Sequence, residues 1–337
     1  MGMEYRRLGS TGLEVSPVCL GTWRFGKETG GVVETDREDA HELLDAYAER
    51  GGNFVDTANG YGGGDSERWI GEWLDDRDRE DFVVASKCFW STVSRFQENL
   101  SKKNVRAEVE GSLDRLGTDY LDVLYLHRFD DETPIEHTLR AVDDLVSEGK
   151  VHYVGISTCD AWKLTKGLWK ADVENYEAFS VTQPLFHAAY YEDVAEYLDV
   201  CADQDIAVCP YSPLAGGFLT GKYERVGDGT YDIDAPEDTR AEFDEMFTDW
   251  YVSERGWHVL DEVRAVADEA DATPAQVALR WLMDQPEFDC VPIVGARTVG
   301  QLDENLDAIG VSITDEQFDR IFEARYDEDG DLYETNA

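Results

Sequence analysis

The chain has 337 residues, 42% of them hydrophobic, and a formal net charge of −43 from 73 acidic against 30 basic residues. A surface this acidic repels nucleic acid and anionic lipid, which argues against both as partners, and 12% aromatic content with nine tryptophans argues against disorder. The expectation is a folded protein from a halophilic cytoplasm, where screening over about 3 Å at 1 M salt removes the self-repulsion; nine lysines beside 21 arginines fit it.

In chain order, Tyr5–Leu8 and Leu13–Ser16 flank Gly9-Ser10-Thr11-Gly12 and read as a β-hairpin. Eight runs of strand character follow: Val18–Leu20, Asn53–Asp56, Phe82–Ser86, Leu121–Leu126, Val151–Ile156, Ala178–Thr182, Ile206–Pro210 and Cys290–Ile293. Amphipathic helices alternate with them. Asp36 caps Arg37–Arg50, Ser66 opens Glu67–Asp75, Ser101 opens Lys102–Leu116, Pro134 opens Ile135–Ser147 and Asp160 opens Ala161–Lys170. Tyr191–Gln204, Trp257–Glu269 and Ala275–Asp284 come next, and Val299–Ala308 and Asp315–Ala324 follow the eighth strand. Eightfold strand–helix repetition predicts an α/β fold, a single (β/α)8 TIM barrel with an N-terminal β-hairpin and two extra C-terminal helices, over residues 1–325. Gly21-Thr22-Trp23-Arg24-Phe25-Gly26 does not fit G-x-G-x-x-G, which removes the main support for an open dinucleotide-binding sheet.

Gly221–Gly256 breaks the rhythm as a long acidic connection after the seventh strand, and loops of that length are often functional. Residues 326–337 read as a solvated acidic tail; their Asp and Gly spacing misses the EF-hand pattern. The six cysteines show no C-x-x-C spacing and read as buried apolar residues. No signal peptide and no run of 18 apolar residues is visible, so the expected location is cytoplasmic. His41-Glu42 has no second histidine at metal spacing, and no metal is expected.

In a barrel, active residues sit at the C-terminal ends of strands. Asp56, Lys87 and His127 end the second, third and fourth runs, and Tyr61 follows Asp56 in a glycine-rich loop. Ser157, Gln183 and Tyr211 end the next three, Gly21 and Thr22 follow the first, and Arg297 follows the eighth. Any one polar strand end is ordinarily a solvated boundary; several in register are harder to explain that way. A phenol beside an ammonium can protonate a carbonyl oxygen as a hydride arrives. The lysine is expected to lower the tyrosine pKa, the carboxylate to keep the lysine charged, and the imidazole to orient the substrate oxygen.

The segment Asn53 to Gly62, the strand Val83-Val84-Ala85-Ser86-Lys87, and the stretch Leu116 to Asp122 with Leu126-His127-Arg128-Phe129-Asp130 resemble the Asp–Tyr, lysine and histidine segments of the aldo-keto reductase superfamily. The resemblance covers almost the whole chain and implies a tetrad of Asp56, Tyr61, Lys87 and His127, with Tyr61 as general acid. Tyr211-Ser212-Pro213-Leu214-Ala215-Gly216-Gly217 through Lys222 resembles the stretch that stacks the nicotinamide and holds the diphosphate. Gly295-Ala296-Arg297-Thr298 with Gln301, Glu304 and Asn305 resembles the adenosine-phosphate site, where Arg297 implies NADP(H) over NAD. Gly21, Thr22, Trp23, Asp56, Ser157, Thr158 and Gln183 complete the implied cofactor contacts. Thr239-Arg240 in the long loop resembles the bacterial and potassium-channel-β-like branch and makes Arg240 a further candidate. The pattern departs from the family at Thr158 and His187, where Asn is common, and at Tyr191, where Arg is common.

The resemblance implies an NADP-dependent enzyme reducing an aldehyde or ketone to an alcohol, or the reverse, with a small-molecule substrate. The alternative is a redox-sensing regulatory subunit that keeps NADP(H) tightly bound. Trp23 and Trp90 are expected to shape the pocket; the substrate and the oligomeric state are not legible in the residues.

Overall fold

The computed structural model describes residues 3–29, 32–93, 98–226, 233–236, 239, 241 and 246–334. They fall in two compact units: Met1–Pro184 with Val194–Pro210 and Pro286–Leu302, and Leu185–Asp193 with Tyr211–Gln285 and Asp303–Ala337.

The first unit is built on eight parallel strands: β1 (Cys19–Gly21), β2 (Phe54–Asp56), β3 (Val83–Cys88), β4 (Leu121–Leu126), β5 (Val151–Ser157), β6 (Phe179–Gln183), β7 (Ala207–Val208) and β8 (Ile293–Val294). Neighbours in sequence from β1 to β7 pair in turn, and β8 pairs with β1 through Ile293–Cys19 and Val294–Leu20. Around β7 and β8 the sheet closes: Val208 N donates to Asp289 O at 2.8 Å, Val291 N to Val208 O at 2.9 Å, and Ile293 N to Pro210 O at 3.0 Å. The barrel foreseen from the strand–helix rhythm is therefore present. Helices α1 (Arg37–Glu49), α2 (Asp65–Leu74), α3 (Lys102–Leu116), α4 (Ile135–Ser147), α5 (Ala161–Glu174) and α6 (Ala195–Asp203) follow the first six strands in turn.

Side chains alternate across a strand with period two, and that parity organises the interior. Cys19, Phe54, Val83, Ala85, Val123, Tyr125, Val181, Ala207, Cys209, Val291 and Ile293 form one buried cluster. A Cβ on Gly155 would stand 2.5 Å from the Tyr125 ring, so only glycine lets that ring fill the barrel. The N-terminal hairpin, Arg6–Arg7 paired with Glu14–Val15, adds Leu8 and Val15 to the cluster. It is tied to residues just before strands: Ser10 N donates to Asp205 O at 3.1 Å, Gly9 N to Asp289 Oδ2 at 3.2 Å, and Ser16 N to Asn53 Oδ1 at 2.7 Å. The hairpin thus seals the N-terminal end of the barrel.

In the second unit, the Gly221–Gly256 connection carries more structure than a loop. Glu224–Arg225 pairs with Ile233–Asp234, and a short helix α7 (Phe247–Tyr251) precedes α8 (Glu254–Ala270). Helix α8 starts earlier than its apolar period from Trp257 predicts, because the Ser253 hydroxyl caps Gly256 N. Helix α9 (Pro274–Met283) opens with a capping box from Thr273 and Gln276. After α10 (Val299–Asp307), helix α11 (Asp315–Glu323) opens with one from Thr314 and Gln317. Tyr191–Asp193 is not helical as expected, since Glu192 and Asp193 are held by Arg325 and Arg255 instead. The acidic stretch is largely exposed and yet ordered over its described residues. Residues 326–334 fold back through a Tyr326–Leu332 bridge, Tyr333 stacks on His258 with centroids 4.0 Å apart, and Arg255 Nε donates to Tyr333 O at 3.0 Å.

Among the described residues no helix is long and apolar enough to cross a membrane, and no cluster of His, Cys, Asp or Glu could hold a metal ion.

Candidate active site

The inward parity that buries Phe54, Ala85, Tyr125 and Val181 brings Asp56, Lys87, His127 and Gln183 to the next layer, at the C-terminal ends of β2, β3, β4 and β6. Register fixes their proximity: Asp56 pairs with Ala85, and Lys87 with Tyr125. Lys87 is one residue short of the strand end, because β3 runs on to Cys88. Its Nζ donates to Asp56 Oδ2 at 2.5 Å and to Thr57 O at 2.8 Å. Gln183 Nε2 donates to Asp56 Oδ1 at 2.8 Å, so both carboxylate oxygens are occupied. Lys87 is fully buried and Asp56 nearly so.

Tyr61 enters the same cluster from the loop after β2. Gly62 has φ +57°, and a Cβ there would lie 2.4 Å from Phe25 O, so the turn that presents the phenol requires glycine. Lys87 Nζ lies 4.8 Å from the Tyr61 ring centroid. The Tyr61 ring stands edge-on to His127, centroids 6.0 Å apart at 77°, and Trp90 does the same from the other loop at 4.6 Å and 81°.

Burial sets the charges. It pushes Tyr61 above the ordinary phenol range; Lys87 pulls it down, but Asp56 pushes it up again. This corrects the expectation of a lowered tyrosine: the lysine acts in the foreseen direction but does not prevail, and the phenol holds its proton at neutral pH. Burial opposes the charge on Lys87, yet Asp56 and Tyr61 hold its pKa above the ordinary value. Burial likewise raises Asp56, with Lys87 and Gln183 drawing it back. His127 is pushed down to about 2, first by burial and then by the positive Lys87 and Arg128, so it is neutral. Its Nδ1 is buried with no hydrogen-bond partner.

The braces around the site were not foreseen. Thr22 is fully buried, and its N–H and hydroxyl both donate to Asp56 O, at 3.0 and 2.9 Å. Its hydroxyl also meets Ser66 Oγ at 2.7 Å, so Thr22 supports β2. Ser66 lies inside α2, which starts at Asp65, and its hydroxyl serves Thr22 and Thr57 instead of a helix cap. Buried Glu67 takes Ser86 Oγ at 2.5 Å and Arg115 Nε at 2.6 Å. A carboxylate on the apolar stripe of a helix was the available signal.

The remaining candidates sort by position. Ser157 Oγ donates to Gln183 O at 2.7 Å, and Thr158 is held at φ +45°, a left-handed conformation strained for a β-branched residue and easier for Asn. Trp23 is 40% exposed with Lys27 Nζ 3.4 Å from its ring centroid. Gly21 cannot carry a side chain, since a Cβ would meet Ile293 Cγ2 at 2.6 Å; a Cβ on Gly295 would meet only Gly21 O at 3.9 Å, so the space above Gly295 is open. Arg297, Thr298 and Gln301 are exposed around the start of α10. Gln301 Oε1 accepts from Arg297 N at 2.9 Å, and Thr298 Oγ1 from Gln301 N at 3.3 Å. In the second unit, the Ser212 hydroxyl lies 3.1 Å from Tyr251 OH. Tyr211, Pro213 and Leu214 lead into the Ala215–Thr220 turn, where Gly216 has φ +65°. Lys222 Nζ lies 5.3 Å from the Tyr223 ring centroid, and Asn305 is buried. Arg240 lies outside the described residues.

The site thus holds a buried Asp–Lys pair beside a phenol and a neutral imidazole, at the C-terminal mouth of the barrel. The model of the aldo/keto reductase family matches residues 17–325.

The chain belongs to the aldo/keto reductase family.

It is therefore an oxidoreductase of a family that uses nicotinamide cofactors and acts on small carbonyl compounds. It is 33% identical to norsolorinic acid reductase stcV of Emericella nidulans over 94% of this chain and 80% of that protein. It is 32% identical to a probable voltage-gated potassium channel subunit beta of Arabidopsis thaliana, over 92% of each chain. It is also 32% identical to the uncharacterized oxidoreductase YrpG of Bacillus subtilis, over 93% of each.

Proposed function

We propose that this aldo/keto reductase is an NADP(H)-dependent enzyme that reduces an aldehyde or ketone to an alcohol, with Tyr61 as the general acid. The observation that carries this reading is the buried Asp56–Lys87 pair under the Tyr61 phenol. Two features of the chain fit the cofactor. The space above Gly295 admits close approach of a ligand, and Arg297 at the start of α10 offers a guanidinium and a helix N-terminus to a 2′-phosphate. A nicotinamide bound there would supply the hydride.

The side chains do the rest. Charge that develops on the carbonyl oxygen needs a proton in the same step. Tyr61 carries one, since a phenol is protonated at neutral pH. Lys87 faces the ring and stabilises the phenolate that remains. Asp56, tied to Lys87 and Gln183, holds the ammonium charged and in place. His127 is neutral and meets the substrate oxygen through its other ring nitrogen, Nε2, without adding a charge. Similarity to a protein named for the reduction of norsolorinic acid, and the half-exposed rings of Trp23 and Trp90, support an aromatic carbonyl as substrate.

Tyr61→Phe tests the assignment. NADPH binding should persist while kcat falls by about 10²–10⁴, the usual contribution of a general acid; a variant within threefold of wild type refutes it. The similarity to a channel β subunit supports the second reading, a redox sensor. Purified protein that retains NADP(H) and turns over no carbonyl would favour that reading.

A further inference from the structure

Two active-site loops are joined through one buried carboxylate. Glu108 lies on α3 with its side chain fully buried, on the same stripe as Val105, Val109 and Ser112. Its Oε2 accepts from Asn59 Nδ2 at 2.8 Å and from Thr92 Oγ1 at 2.7 Å. Its Oε1 accepts from Ser91 Oγ at 2.7 Å and Thr92 N at 3.0 Å. Asn59, two residues before Tyr61, also donates to Trp90 O at 2.7 Å. The carboxylate therefore links the loop after β2, which carries Tyr61, to the loop after β3, which carries Trp90.

His127 depends on that linkage. Its main chain is fixed by a 3.0 Å bond from its N–H to Cys88 O. Its ring, with Nδ1 unpartnered, is held by the edges of Trp90 and Tyr61. Packing orients the half-buried imidazole and keeps Nδ1 from water. Release of Trp90 would free the ring and hydrate it.

We propose that Glu108 is a positioning residue of the active site: through Asn59, Ser91 and Thr92 it holds Trp90 against His127, and so fixes the imidazole that orients the substrate oxygen. The role of His127 in this statement rests on the carbonyl-reductase reading above. The hydrogen bonds from Thr92, Ser91 and Asn59 overcome burial and keep Glu108 below the usual carboxylate pKa, so the clamp is ionised at working pH. Glutamine cannot replace it. Its amide nitrogen would face donors, leaving hydroxyl or N–H groups without an acceptor. The charged groups that act on His127 are Lys87 and Arg128, both cationic, and they oppose its protonation.

The test is the titration of His127 in the full-length protein, read by ¹H–¹⁵N spectra in molar KCl without substrate. The signal is assigned from its absence in His127→Gln. In wild type, His127 stays neutral from pH 8 to 5. In Glu108→Gln it begins to protonate toward the ordinary histidine range near 6.5, and kcat/KM for a carbonyl substrate falls about tenfold and gains an acid limb. A lower melting temperature alone, with His127 still neutral at pH 5 and kcat/KM within threefold of wild type, overturns the proposal. If Glu108→Gln does not fold, Ser91→Ala with Thr92→Val removes two donors from partly exposed positions, and a smaller shift of His127 in the same direction is expected; no shift overturns the proposal. Should wild type turn over no carbonyl, the function reading fails, and the spectra still decide whether the clamp exists.

Discussion

The Asp56–Lys87 pair can be separated into its structural and chemical parts by a double-mutant cycle. Both groups are buried and lie 2.5 Å apart. Lys87→Met leaves the Asp56 carboxylate with only the Gln183 amide, and breaking a buried pair from one side costs about 3–5 kcal/mol. Asp56→Asn leaves the ammonium with Thr57 O and the Tyr61 phenol and no countercharge, and costs about the same. The double variant removes both charges, and the amide oxygen then present at position 56 can still accept from Gln183. Its cost should be about 1–3 kcal/mol, the desolvation penalty of one poorly met amide. The coupling energy, the shortfall of the double variant from the sum of the singles, is then about 3 kcal/mol or more, well above the ~0.5 kcal/mol scatter of independent sites. Urea unfolding in molar KCl measures the four stabilities, and NADPH oxidation is assayed in parallel. Stability should return in the double variant while turnover stays as low as in Lys87→Met. Additive losses would refute the claim that Asp56 holds the lysine charge. Recovery of turnover together with stability would refute the need for Lys87 in the chemistry.

Three further outcomes are expected. Arg297→Ala should weaken NADPH by about 1.5–3 kcal/mol, the worth of a charged hydrogen bond, and NADH much less; fluorescence titrations that show equal losses would remove Arg297 from the phosphate site. His187 is buried with both ring nitrogens unpartnered, and burial lowers its pKa to about 3. The unfolded chain binds this proton below about 6.5 and the native chain does not until about 3, so stability is lost as pH falls through that window, by roughly 1.4 kcal/mol per unit. His187→Leu should flatten the pH dependence of urea unfolding between pH 6.5 and 5, and an unchanged slope would mean that the imidazole is hydrated in the native state. Finally, dialysis to about 0.01 M salt extends screening to about 30 Å and lets the net −43 act across the molecule; the melting temperature should rise steeply with KCl and with NADPH, and a salt-independent melt would withdraw the high-salt expectation.

The barrel was legible because its strands are buried on both faces and its helices carry their own caps. Leu121–Leu126, Lys102–Leu116 and Ile135–Ser147 fall where the pattern places them. The convergence of Asp56, Lys87 and His127 was legible for the same reason: a polar residue at the end of an apolar run marks the strand's mouth, and period two turns it inward. What escaped was decided by long-range contacts. Ser66 looks like a cap from its neighbours but is claimed by Thr22 and Thr57, 44 and 9 residues away. Glu192 and Asp193 extend a helical pattern, yet Arg325 and Arg255 hold them outside it. Residues 326–334 have the composition of a solvated tail, and contacts with distant residues, such as the stack of Tyr333 on His258 and the Arg255–Tyr333 hydrogen bond, give them a place. The net direction of the Tyr61 pKa depends on depth of burial, which no local pattern conveys.

The hairpin seal at the N-terminal end of the barrel has a consequence for traffic. Leu8 and Val15 are seated among Cys19, Phe54 and Val123, so the floor below Lys87 is filled with side chains, and the strands themselves wall the sides. The first unit is a vessel that opens at its C-terminal mouth. A library aimed at new substrates can leave the packed lower layers alone and concentrate its diversity in the loops at the rim.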